Sequence, residues 1–209
     1  MGNASVDTLQ MMGYATLFTF LIGLPLGVLL YTFSRTNSLV LGWIYRVLSL
    51  IVNIVRSVPF IILIVFLIPF TRAIMGVSTG VEGTIPPLVI GAAPFFARLV
   101  ETALREVDRG VIEASQAMGA STFQVIRKVL LPESLPGLIA GMTITAVTLV
   151  SYTAMSGMVG GGGLGDMAIR YGYQRYESEV MLVSVVFMVV LVQLLQMVGD
   201  RLVIFFSRK

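Results

Sequence analysis

The chain has no cysteine and no histidine in 209 residues, and only 12% of its residues are charged. Without cysteine, no disulfide staples the fold and no thiol chemistry takes place in it. Without histidine, the commonest proton shuttle and metal ligand are both gone. The low charge excludes more. A soluble domain carries about 25% charged residues. This chain carries about half that share, is 56% hydrophobic and has a mean hydropathy of +0.93, which leaves too little polar surface to dissolve. It also lacks G-x-x-x-x-G-K-[ST], so it is not expected to bind ATP through a P-loop. What remains is an all-α, polytopic membrane protein with little mass outside the bilayer. The first apolar run has no basic stretch before it and reads as a retained anchor rather than a cleaved signal.

A crossing helix needs about 20 mostly apolar residues. Five runs qualify: 11–33, 51–71, 84–100, 135–155 and 180–206. The stretch 38–55 is apolar too but carries Arg46 and Asn53, with Arg56 just beyond. It reads as an interfacial helix leading into the second span, and Val58-Pro59 permits a kink there. Asn53 and Arg56 read as snorkelling or as docking a neighbour.

Orientation follows from the basic residues. With the N-terminus outside, 11 of the 14 Lys and Arg fall on or near the cytoplasmic side, Arg208 and Lys209 among them, and only Arg72, Arg170 and Arg175 fall outside. The net charge of +3 therefore reports topology, and no nucleic-acid partner is expected. Glu101 and Asp200 sit at span edges, and no acidic residue is evident near a midplane. Proton- and sodium-coupled carriers usually keep such groups there. The energy source is expected outside this chain.

The one long polar segment lies between the third and fourth runs. Residues 111–118 are good helix formers, and Gly119 suits the left-handed position that ends a helix. Ser121 and Gln124 have capping-box spacing for a second helix. Phe123, Ile126, Val129 and Leu130 recur at helical spacing and predict its apolar stripe. Pro132 is expected to stop that helix and Pro136 to open the fourth span. The expected result is a helix–turn–helix elbow at the membrane surface.

Gly160, Gly162 and Gly165 satisfy G-x-G-x-x-G. A dinucleotide fold needs a strand before that motif and a crossover helix after it. Here an apolar span precedes it, so the string predicts a flexible or closely packed outer loop. The twelve methionines read as packing, with Met155 the exception. Ser151, Tyr152 and Met155 lie near the outer end of the fourth span, three and four residues apart, and are candidates for a translocation path or gate.

Glu113-Ala114-Ser115, three residues, Gly119, nine residues and Val129-Leu130-Leu131-Pro132 resemble the EAA loop of ABC importer permeases, with Ser115 for the second Ala and Val129 for Ile. Arg56-Ser57-Val58-Pro59-Phe60, Gly91-Ala92-Ala93-Pro94-Phe95, Tyr152-Thr153-Ala154-Met155-Ser156-Gly157 and the glycine string resemble methionine importer permeases. The likeness runs from Arg46 to Tyr173.

This resemblance implies a type I ABC importer permease fold in the cell inner membrane. It implies a single permease domain over residues 1–209, with a cytoplasmic coupling loop at about 101–134. Glu113, Ala114, Ser115, Gly119 and Ala120 would then meet a separate ABC ATPase, present in two copies. It further implies a homodimer of this chain and a substrate-binding lipoprotein or periplasmic binding protein that delivers methionine. Catalytic residues, metal and cofactors are not expected. Another amino acid or small organic solute would use the same machine. A stand-alone carrier or channel is the reading that the missing midplane acids and the elbow speak against.

Overall fold

In the computed structural model, residues 2–36 and 38–207 are described. Arg208 and Lys209, counted above with the basic end, lie outside them. Among the described residues there is no strand. Five helices are long and apolar enough to cross a membrane: α1 (Gly2–Ser34), α2 (Leu39–Ser57), α5 (Gly80–Arg105), α9 (Leu135–Ser156, with one further turn to Val159) and α11 (Ser178–Ser207). Between α2 and α5 lie two short helices, α3 (Phe60–Phe66) and α4 (Ile68–Met75).

α1 begins nine residues before the apolar run that predicts it. Its first turns are not apolar, but they dock: the Thr8 hydroxyl accepts from the Leu164 N–H at 2.8 Å, and Met11 is fully buried. α1 and α5 share the most extensive contact among the described helices. A side chain at Gly23 would lie 3.0 Å from the Ala93 carbonyl, and one at Gly27 would lie 2.5 Å from Val100 Cβ. Small residues four apart on α1 face Ala93 and Ala97, also four apart, on α5. This is how backbones approach closely where water supplies no driving force between helices.

The expected second span, 51–71, is corrected in form. The chain breaks at Val58-Pro59 and again at Leu67, so that segment is shared among α2, α3 and α4. Proline at 59 and 69 supplies no N–H to the turns before it, so the rod is jointed. It is nevertheless one traverse. Tyr45 meets Glu101, Ser49 and Asn53 meet Arg98, Arg56 meets Phe95, and a side chain at Gly91 would touch Phe60. Successive points along α2–α3 thus meet successive points back along α5.

One charged cluster pins the two together. Glu101 is 3% exposed and forms ion pairs with Arg98 and Arg105, each at 2.6 Å. The Tyr45 hydroxyl donates to the same carboxylate at 3.4 Å. Arg98 also donates to the Ser49 hydroxyl and carbonyl and, at 3.0 Å, to Asn53 Oδ1. Glu101 stands one turn from the end of α5, at the span edge as expected, and is buried there between the helices.

The glycine string is closely packed. The 157–167 segment folds back onto α9 and α1 through a single turn (Gly157–Val159) and α10 (Gly163–Met167). A Cβ at Gly165 would fall onto the Ala154 backbone, closer than any real contact. Backbone cannot swing aside as a side chain can. Gly165→Ala is therefore expected to lower stability by about 1–3 kcal/mol, read as an earlier melting transition of the detergent-solubilised protein. Gly42→Ala, where a Cβ meets nothing within 4 Å, should leave melting unchanged.

Candidate functional site

The elbow begins where α5 ends. Asp108 caps α6 (Arg109–Ala117), its carboxylate accepting from the Gly110 N–H at 2.6 Å. α6 stops in a complete left-handed cap. Gly119 has φ +83°, its N–H donates to the Gln116 carbonyl at 2.9 Å, and the Ala120 N–H donates to the Ser115 carbonyl at 3.1 Å. The next helix, α7 (Thr122–Val125), opens with the predicted capping box. Ser121 N–H donates to Gln124 Oε1 at 2.8 Å, and Gln124 N–H donates to Ser121 Oγ at 3.3 Å. Backbone groups on both sides of the bend are thus answered locally, by the cap of α6 and the capping box of α7.

One expectation fails beyond it, and a second holds in part. Pro132 does not stop the helix. The path continues through a π turn (Ile126–Leu130), α8 (Leu131–Glu133) and one bent residue into α9. Pro132 falls in the first turn of α8, where a missing N–H costs little. The expected apolar stripe holds at Ile126, Val129 and Leu130, which face the core, and fails at Phe123. Val125 and Leu130, five apart, are the buried pair, whereas Phe123 is 68% exposed. An ordinary helical period does not place i and i+5 together, but a π turn does.

The five residues singled out on the elbow do not form one surface. Glu113 and Ala114 are exposed on α6. Glu113 lines a cavity of about 250 Å³ with Arg35, Arg109, Gln116 and Thr122. The Ser115 hydroxyl turns inward, donating to the Val111 carbonyl at 2.7 Å. Ala120 packs with Tyr31, Leu104 and Val125, the cluster that anchors the elbow to the long helices. Two apolar side chains flank the bend in the open: Met118 at 87% exposure, and Phe123. Met118 had no periodic neighbour to mark it, and Phe123 shares the helical spacing of residues that face the core.

At the other end of α9 the gate candidates separate. Tyr152 lies flat on Phe60 of α3, with ring centroids 4.1 Å apart and planes 2° from parallel. Ser151 and Met155 are exposed along a cleft of about 490 Å³ against Met188, Val192 and Gln193 of α11. Three residues of helix turn Tyr152 to one neighbour and Met155 to another. Among the described residues no cluster of acidic groups suits a metal ion.

Residues 10–209 match the family described as binding-protein-dependent transport system inner membrane component. The chain is 53% identical over 200 residues to a Vibrio cholerae protein named probable D-methionine transport system permease protein MetI, covering 96% of this chain and 89% of that one. It is 45% identical to the Bacillus subtilis methionine import system permease protein MetP, covering 95% and 89%. Its fold superposes with a TM-score of 0.92 and 53% identity on a chain of the MetNI methionine ABC transporter, solved in inward-facing conformations, covering 97% and 94%.

Proposed function

This chain belongs to the binding-protein-dependent transport system inner membrane components, and from that membership we propose that it is the membrane-spanning subunit of an ABC importer for methionine. The observation that carries the proposal is the elbow: a doubly capped bend that projects from the bundle and runs without a full stop into α9. A lever of this kind passes a partner's closure to the spans as a rigid-body movement.

On this reading two copies of the chain pair about a two-fold axis, and each presents one elbow to one of two ABC ATPase subunits. ATP hydrolysis belongs to those partners. A lipoprotein or periplasmic binding protein delivers the substrate at the opposite face. Glu113 and Ala114 offer the polar part of the docking surface, and Met118 and Phe123 its apolar part. Ser115, Gly119 and Ala120 hold its shape. Residues 1–209 form one permease domain, and about 101–134 is its coupling loop. The test is ATP-driven methionine uptake by liposomes holding the chain with its ATPase and binding protein. Uptake without the ATPase, or none with it, would reject the reading.

The N-terminus is proposed outside and the elbow inside, because Arg35, Arg105, Arg109, Arg127 and Lys128 gather at one end of the bundle. The chain has no native cysteine, so single-cysteine variants are clean reporters. Cysteine at Ser5 or Ser178 should react with an impermeant reagent in intact cells, and cysteine at Ser121 should not. Labelling of position 121 from outside would invert the topology.

Met155 and Ser151 are proposed to close the path where α9 meets its surroundings in the dimer, and Tyr152, stacked on Phe60, to line it. A flexible thioether re-packs without burying charge. Met155→Ala should give methionine leak into liposomes without ATP, while Met12→Ala should give none. Leak no greater than wild type would assign Met155 to packing.

A further inference from the structure

α2 has two faces that want different surroundings. Trp43, Val47, Leu50 and Ile54 are exposed on one side. Tyr45, Ser49, Asn53 and Arg56, spaced four, four and three, form a polar stripe on the other. Tyr45, Ser49 and Asn53 are engaged by Arg98 and Glu101 of α5. Arg56, the end of the stripe, is different. It is exposed, and among the described residues it makes no ion pair; its guanidinium lies 5.7 Å from the centre of the Phe95 ring. Phe95 is the sixteenth of the 26 residues of α5, about 15 Å from the Arg105 end and about 22 Å from the Gly80 end at 1.5 Å per residue. Arg56 is therefore a cation held near the middle of the helical layer without a carboxylate partner.

Such a group does not face lipid; it faces a water-filled space or a ligand. The apolar side of α2 already occupies the lipid direction. Past the break at Val58-Pro59, Phe60 carries the flat Tyr152 stack; Phe60 lies at Gly91 and Arg56 at Phe95, one turn apart on the same face of α5. A cation thus stands next to an apolar aromatic wall, on a single face. We propose that Arg56 receives the carboxylate of the amino acid as it crosses, while the half-buried Tyr152, backed by the buried Phe60, offers its side chain an apolar wall. The cation matches the one anionic group of a zwitterionic amino acid. Stacked rings suit a thioether, whose sulfur makes favourable contacts with aromatic edges. This site deepens the importer reading and rests on it. It is separate from the Met155 cleft, which lies on another side of α9.

The test uses the complete transporter in liposomes. Arg56→Gln should lower methionine uptake per ATP hydrolysed at least about tenfold, and Arg56→Lys, which keeps the charge, should stay within about threefold of wild type. A second measurement does not depend on the substrate. Arg56→Cys should react with a water-soluble thiol reagent, and Ile54→Cys, on the opposite face, should not. Arg56→Gln uptake equal to wild type would overturn the proposal. So would an Arg56→Cys that stays unreactive both without nucleotide and with ATP trapped. Absence of uptake by the wild-type complex would count against the importer reading, and the labelling pair would still decide whether Arg56 faces water.

Discussion

Gly119→Val is expected to cut ATP-driven uptake about 10- to 100-fold while the chain still reaches the membrane. The position has φ +83°, and its neighbours on both sides complete the cap that ends α6. A β-branched residue forced into this region costs about 1–3 kcal/mol, and each 1.4 kcal/mol is a tenfold change in the population of the right bend. The reason is conformational and not steric, since a Cβ at 119 meets nothing within 4 Å in this chain. Gly119→Asn separates the two causes, because Asn tolerates the left-handed region and should keep most of the activity. The measurement is uptake and ATP hydrolysis side by side in reconstituted transporter. Val losing uptake with Asn retaining it supports a rigid lever; equal loss in both would instead point to a side chain at 119 blocking the ATPase. Glu113→Lys should also lower uptake by reversing an exposed charge at the docking surface.

The second large effect is on stability. Glu101→Ala should destabilise the folded chain by about 3–5 kcal/mol, the range for removing one partner of a buried pair. Glu101 is 3% exposed, and the Arg98 side chain beside it is 18% exposed. Removing the carboxylate leaves a guanidinium packed between α2 and α5 with only Ser49 and Asn53 to answer it. Arg105, 46% exposed, turns to water and adds little. The readout is thermal unfolding in detergent. Arg105→Ala should shift the transition by less than about 1 kcal/mol, and equal shifts in both variants would show that the cluster is not what joins α2 to α5.

Much of this molecule is legible in the sequence because much of it is decided locally. Hydropathy over about 20 residues marks four of the crossing helices within a few residues at most ends, since each must satisfy its own backbone in lipid whatever its neighbours do. The elbow's caps are equally local: Asp108, Gly119, Ser121 and Gln124 answer groups two to five residues away. The Glu113 spacing that carried the family resemblance is likewise a pattern along the chain, and residues 10–209 match that family.

What the sequence left open is what depends on partners far along the chain. Whether the glycine string was loose or packed was settled by Thr8 and Ala154, which stand on other helices. Arg56 looked like a snorkelling side chain until α5 set Phe95 beside it. Tyr152 and Met155 looked like one face until α3 and α11 drew them apart. The helical period placed Ile126, Val129 and Leu130 on the core but could not tell that Phe123, at the start of that stripe, stays in the open. Hydropathy, helix caps and motif spacing act over one or two turns and can be read in order. The phase of a jointed helix, the partner of a buried ion and the wall opposite an arginine are set by which helices lie side by side, and only the tertiary structure decides that.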